Sequence, residues 1–223
     1  AREGAASTRT LLARNAVEAW AGKCGGAREA RITSLLKNID SKRGPIAGVD
    51  LEQPRIMAVV NVTPDSFSDG GKNYDPDVAI RAGQDMAKAG ADIIDVGGVS
   101  TRPGSSPPSE AEELARVLPV IRALTEDGLT VSIDTRRAAV MVGAIEAGAK
   151  IINDISALLA DPESLGFAAQ CDAPIILMHM QGEPETMQQA PVYHHVSLDI
   201  FDYLEARIEI CLAAGISRDR LIV

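Results

Sequence analysis

The sequence predicts an α/β fold in which parallel strands alternate with helices, preceded by a helical extension. Three observations carry that prediction. Apolar runs of strand length recur through residues 55–223, with helical segments between them. Each of the first five runs ends in Asn, Asp or His. Aromatic residues make up only 3% of the chain, so Val, Ile, Leu, Ala and Met must build the core, which suits parallel strands flanked by helices. Without a G-x-G-x-x-G fingerprint, the alternation favours a (β/α) barrel over a doubly wound sheet.

Residues 1–54 stand apart, with nine Lys and Arg against six Asp and Glu, where residues 55–223 carry thirteen against twenty-five. Thr8 to Lys23 has the apolar spacing of an amphipathic helix, through Leu11, Leu12, Ala16, Ala19 and Trp20. Gly22, Gly25 and Gly26 break it, and Ile32, Leu35, Leu36 and Ile39 offer a second apolar face. This segment reads as a packing appendage without chemistry, in which Trp20 is a contact residue. From 55 on, the strands expected are 56–60, 92–96, 130–134, 150–154, 174–178 and 220–223. Asp75-Pro76 and Asp161-Pro162 each supply an N-cap followed by Pro at the first helical position. Ser109 and Glu112 form a capping box. Gly90, Gly148 and Gly215 stand where a helix hands over to a strand. A weak repeat, K-A-G-A-D-I-I-D at 88–95 and E-A-G-A-K-I-I-N-D at 146–154, marks the recurring half of a β/α unit.

Bulk composition narrows the function. A net charge of −9 argues against a nucleic-acid or anionic-membrane surface. Cys24, Cys171 and Cys211 are odd in number and lack C-x-x-C spacing, so they read as reduced thiols. No apolar run reaches the roughly 18 residues of a membrane helix, and no signal-peptide core opens the chain. The expected location is the cytoplasm.

The strand ends carry the chemistry. Asn61, Asp95, Asp134, Asn153 with Asp154, and His179 close successive strands. In a parallel barrel those ends share one rim, where active sites are built. Carboxylates and amides in a mostly apolar pocket complement a heterocycle with N–H donors and carbonyl acceptors. Asp134 suits a guanidine-like edge, Asn153 both gives and receives, and Asn61 offers a neutral oxygen to Mg2+ completed by phosphate and water. The loop at 99–108 adds the Ser100 and Thr101 hydroxyls and Arg102. Elsewhere the residues read plainly. His194 and His195 open a helix, Arg136 and Arg137 belong to the first turn of one, and Glu110 to Glu113 are helix-start charges. Met57, Met178 and Met180 read as core filling.

Five segments together resemble the dihydropteroate synthase family: N-V-T-P-D-S-F-S-D-G-G at 61–71, I-I-D-V-G-G-V-S-T-R-P-G at 93–104, S-I-D-T at 132–135, I-I-N-D-I at 151–155 and L-M-H-M-Q-G at 177–182. The first two are long and specific, and the resemblance covers residues 54–223. It implies a TIM (β/α)8-type barrel, incomplete here at about six of eight strands, after an extension at 1–54. It also implies a transferase that joins 6-hydroxymethyl-7,8-dihydropterin diphosphate to p-aminobenzoate with release of pyrophosphate, a step of folate biosynthesis and a sulfonamide target. Carried over by motif, Asp134, Asn153, Ile155, Met178 and Thr101 bind the pterin, and Asn61 ligands Mg2+. Thr63, Phe67, Ser68 and Asp69 fall in a first mobile loop, and Thr101, Arg102 and Pro103 in a second. Phe67, Ser68 and Pro103 shape the p-aminobenzoate pocket, and Asp69 and Arg102 are the catalytic candidates. Asp69 either steadies positive charge or receives the amine proton. The implied reaction is dissociative: pyrophosphate leaves a methylene cation delocalised into the pterin, which the arylamine attacks, so positioning and electrostatics supply the rate.

Two departures accompany the resemblance. Val99 stands where the family has Glu, which removes a loop charge. The chain reaches Val223 before the family's later pterin- and anion-binding motifs, so the polypeptide is expected to have little activity by itself. The family's homodimer contact is implied near that later part and belongs to the full-length protein. Two alternatives stay open: a methyltetrahydrofolate-binding methyltransferase domain, which shares the amide and carboxylate clamp, and a non-catalytic pterin-binding or assembly module.

Overall fold

The structure is a computed structural model that describes residues 12–63, 75–99, 108–184 and 186–223. It divides into two compact units, Ala1–Arg43 and Gly44–Val223. Residues 44–54, grouped with the extension on composition, therefore fall in the second unit.

In the first unit α1 (Arg14–Cys24) and α2 (Gly26–Asp40) pack on each other. Gly22 does not break α1 as its type suggested; the break comes at Gly25, with φ 66°. Arg14 grips Asp40 through both terminal guanidinium nitrogens, Nη1 and Nη2, and Glu18 through Nε at 3.1 Å. Ala21 is the buried apolar residue of the pair, while Trp20 is 53% exposed. So little burial leaves the hairpin resting on local hydrogen bonds and surface ion pairs, which hold helices weakly.

The second unit is a parallel sheet in the order β1-β2-β3-β4-β5-β6. Its strands are β1 (Met57–Asn61), β2 (Ile93–Gly97), β3 (Val131–Asp134), β4 (Ile151–Asp154), β5 (Ile175–Leu177) and β6 (Leu221–Ile222). The six expected runs are therefore strands, and among the described residues β1 and β6 are the edges. Helices α3 (Pro76–Lys88), α4 (Glu110–Glu126), α5 (Ala138–Glu146), α6 (Ser164–Gln170) and α7 (Val196–Ala213) connect them. This is the architecture of an unclosed (β/α) barrel.

One face of each strand packs on the helices. Val60, Ile94, Val96 and Ile133 meet Val117, Val120, Ile121 and Leu124 of α4 in a single cluster, all at most 1% exposed. Burial of such side chains contributes roughly 1.5–3 kcal/mol apiece. Gly83 lets α3 approach α4, because a Cβ there would lie 2.9 Å from Leu124 Cδ2. Met57 does not fill the core: it is 37% exposed beside Val59 at 48%, on the other face of the edge strand β1.

The helix signals held with one exception. Asp75 caps α3, and Ser109 with Glu112 closes the capping box of α4. Gly90, Gly148 and Gly215 take positive φ of 110°, 107° and 97°. His195 caps α7 by accepting from Leu198 N. Asp161, however, does not cap the helix that follows it. Its Oδ1 accepts from Glu163 N in a local turn, and its Oδ2 accepts from Ala138 N, so it serves the first turn of α5 instead.

Candidate active site

Pairing register decides what meets at the sheet's C-terminal rim. Asn61 pairs with Gly97, Gly97 with Asp134, Asp134 with Asn153 and Asn153 with Ile176, forming one row across five strands. Paired residues of a parallel sheet project to the same side. One step below runs Val59, Asp95, Ser132 and Ile151, on that same side because the side-chain period is two. Gly97 leaves a gap in the upper row. A Cβ there would lie 3.4 Å from Asp134 Oδ2 and 3.7 Å from Asn61 Oδ1. Three groups far apart in sequence thus converge on one mouth.

Asp95 lies mid-strand, not at the end of β2, since that strand runs on to Gly97. It is 2% exposed, and its Oδ2 accepts from Asn153 Nδ2 at 2.9 Å. Burial pushes its carboxyl up, opposed by the neighbouring Ser132 and Asn153 side chains. The opposition is partial, for neither Asp95 Oδ1 nor Ser132 Oγ completes a hydrogen bond with protein. Two buried polar atoms without partners on the floor of a mouth are polar capacity that a ligand can use.

Asp134 is pushed up to about 7, first by burial, then by the charges of Asp95, Asp154 and Glu113, with Arg136 opposing. Asp154 points elsewhere and leaves the expected ring of rim groups. Its carboxylate accepts from Ser156 N and Oγ and from Leu158 N, at 2.7, 2.7 and 3.0 Å. It is spent on the turn after β4. His179 lies beyond the end of β5, its ring 4.8 Å from that of Tyr203 and 5.8 Å from that of Tyr193. Ile155 and Met178 follow β4 and β5 directly and are half-buried beside the row.

Behind the mouth sits a charge cluster that the sequence reading passed over. Glu113 is not a mere helix-start charge, since it is 0% exposed. Its Oε1 accepts from Thr135 Oγ1 at 2.6 Å and its Oε2 from Arg137 Nη1 at 2.7 Å. Arg137 Nη2 also donates to the Pro108 carbonyl at 2.8 Å. Arg136 and Arg137 precede α5, whose first residue is Ala138, so neither belongs to its first turn. A cleft of about 390 Å3 opens here, lined by Val99, Glu110, Arg136, Arg137, Asp161 and Pro162 among others. The latch fixes Thr135, and with it the residue before, Asp134. Helical periodicity could have flagged Glu113, which falls on the same face of α4 as buried Val117, Val120 and Leu124.

Phe67, Ser68, Asp69, Thr101, Arg102 and Pro103 lie outside the described residues. Thr63 is buried at 3% exposure. No cluster of three or more His, Cys, Asp and Glu among the described residues is arranged to hold a metal. Asn61 is exposed at the end of β1. No helix among the described residues is long and apolar enough to cross a membrane.

Comparison with known proteins adds an independent line. Residues 57–223 match the family described as pterin binding enzyme. Dihydropteroate synthase of Escherichia coli K12 is 44% identical over 176 residues, which cover 78% of this chain and 62% of that protein. A crystal structure of the Yersinia pestis synthase in a sulfonamide drug complex superposes with TM-score 0.72 at 47% identity, over 78% of this chain and 63% of that one. The Burkholderia cenocepacia synthase complexed with 7,8-dihydropteroate gives 0.69 at 37% identity, over 80% and 62%. The chain thus spans less than two thirds of the length of the curated relatives it matches, about 62% of the Escherichia coli synthase among them.

Proposed function

The chain belongs to the pterin-binding enzyme family, and on that premise we propose that its mouth holds a pterin and that it serves as a dihydropteroate synthase. The reaction is the joining of 6-hydroxymethyl-7,8-dihydropterin diphosphate to p-aminobenzoate. The observation that carries this reading is the row Asn61, Gly97, Asp134, Asn153, with Asp95 hydrogen-bonded to Asn153 below it.

The arrangement supplies what a flat, nitrogen-rich ring needs. Asp134 accepts from the amino and ring N–H of the guanidine-like edge. Asn153 is oriented by its donation to Asp95, so its carbonyl oxygen is turned to a ligand donor. Asp95 Oδ1 and Ser132 Oγ, unpartnered within the protein, take the remaining polar edge. Gly97 keeps the floor thin enough for the ring to lie against backbone. Ile155 and Met178 cover its face. Asn61, at the open end of β1, would offer an oxygen to Mg2+, which would supply charge neutralisation for the diphosphate. The side chains so placed bind and orient; none is a nucleophile, so rate enhancement rests on positioning and preorganised dipoles. Thr101, Arg102 and Pro103, with Phe67, Ser68 and Asp69, are assigned by motif to the arylamine side. Reduced Cys24, Cys171 and Cys211 fit a cytoplasmic enzyme, and a homodimer of the full-length protein remains part of this reading.

Calorimetry tests it directly. The pterin diphosphate with Mg2+ should bind, and a sulfonamide should bind only once pyrophosphate or the pterin diphosphate is present. Sulfonamide binding indifferent to both would overturn the synthase reading, while binding of methyltetrahydrofolate in place of the pterin diphosphate would favour a methyltransferase domain.

A further inference from the structure

The turn after β4 adopts a conformation that its residues do not favour. Ala157 and Leu158 both have left-handed φ, 55° and 61°, and neither is glycine. Two consecutive L-residues in that region are costly, and such strain persists only where the surroundings impose it. Here two agents impose it. Asp154 gathers Ser156 N, Ser156 Oγ and Leu158 N from below. From α7, Arg207 Nη2 donates to the Ala157 carbonyl at 2.6 Å, across 50 residues of sequence.

Arg207 is an unusual choice for that task. It is only 6% exposed, its Nε has no hydrogen-bond partner, and no carboxylate pairs with it among the described residues. Burying a cation is costly, and apolar side chains of similar volume often replace buried charged groups without loss of stability. What Arg207 holds explains its presence better than what it adds to the core. The turn it clamps begins one residue beyond Asp154 and carries Ile155, while Asn153 is the last strand residue before Asp154. Asn153 in turn sets Asp95 through their hydrogen bond and Thr135 through its own carbonyl, which accepts from Thr135 N at 3.1 Å.

We propose that Arg207 is a positioning residue for the pterin mouth, holding the Ala157–Leu158 turn closed so that Asn153 and Ile155 keep their places. It rests on the reading of that mouth as a pterin pocket, and it assigns a role to a helix that contributes no side chain to the row itself.

The test compares Arg207→Met, Arg207→Lys and Arg207→Met combined with Ala157→Gly in the 223-residue chain. Amide hydrogen exchange, melting temperature and the Kd for 6-hydroxymethyl-7,8-dihydropterin diphosphate with Mg2+ are measured for each. Arg207→Met should melt close to the wild type, yet Ser156 and Leu158 amides should exchange about tenfold faster and the Kd should rise about tenfold. Glycine takes left-handed φ without strain, so Ala157→Gly should restore both to within about threefold. Arg207→Lys carries the same comparison if the Met variant does not fold. Unchanged amide protection in both Arg207 variants overturns the clamp. Lost protection with unchanged pterin affinity overturns the positioning role. A wild-type chain that binds no pterin removes the pocket reading alone, and the exchange rates still decide whether Arg207 holds the turn.

Discussion

Asp134 and Asp154 end adjacent strands, and burial raises the carboxyl of both, but their neighbours answer that burial differently. Asp154 receives three hydrogen bonds from the turn that follows it. Asp134 faces Gly97 and Asn153, and burial and like charges raise its carboxyl to about 7. A carboxylate surrounded by donors is committed to the fold. One left among other acids, at a mouth, is held ready for a ligand at a cost to the free protein. The two sites therefore separate stability from recognition within a few residues.

Substitution should make that separation measurable. Asp134→Asn replaces an acceptor of two donors by a group that itself donates, so pterin affinity should fall at least about 100-fold, or about 2.7 kcal/mol. Its unfolding free energy should stay level or rise slightly, because a repelled buried charge is removed. Asp154→Ala should do the reverse, stranding buried donors and lowering stability by about 2–3 kcal/mol in urea titration. Equal loss of stability in both variants would erase the contrast.

Much of this was legible in the sequence, for identifiable reasons. Six strands and their polar ends follow from apolar runs bounded by turn residues, and Asn61, Asp134 and Asn153 do share a row. Asp154 was misplaced because one position shifts a strand residue to the opposite face, and the end of β4 was not fixed closely enough. Met57 was misplaced for a related reason: an edge strand exposes a residue that an inner strand would bury. Glu113 and Arg207 escaped notice because their partners lie 24 and 50 residues away, and no local pattern announces such a pairing. Phe67, Asp69 and Arg102 fall outside the described residues, so their roles still rest on motif.

The Glu113 latch lies between the two cases, since it is structural in itself yet adjoins Asp134. Glu113→Gln keeps an acceptor for Thr135 or Arg137 but loses the charge that pairs with Arg137, whose side chain is 30% exposed. Partial exposure of that partner reduces the penalty to about 2 kcal/mol by chemical denaturation. Pterin affinity should weaken less than in Asp134→Asn, because Thr135 keeps its backbone bond to Asn153.

The smallest effect is a pH dependence in which stability and affinity move in opposite directions. Burial and like charges push the Asp134 carboxyl up to about 7 from its ordinary 3.8, so between those limits the folded chain binds more protons than the unfolded one. Stability contributed by this group therefore falls as pH rises through that window and is level above it. Recognition has the other sign, since donors of the pterin edge prefer the ionised carboxylate. Affinity for 6-hydroxymethyl-7,8-dihydropterin without its diphosphate should rise about tenfold between about pH 6 and pH 8, and then level off. Asp134→Asn should abolish the rise, whereas Asp154→Asn should keep it at lower overall stability. Calorimetric titrations across that range decide the matter, and a rise that survives in Asp134→Asn would assign the titration to another group.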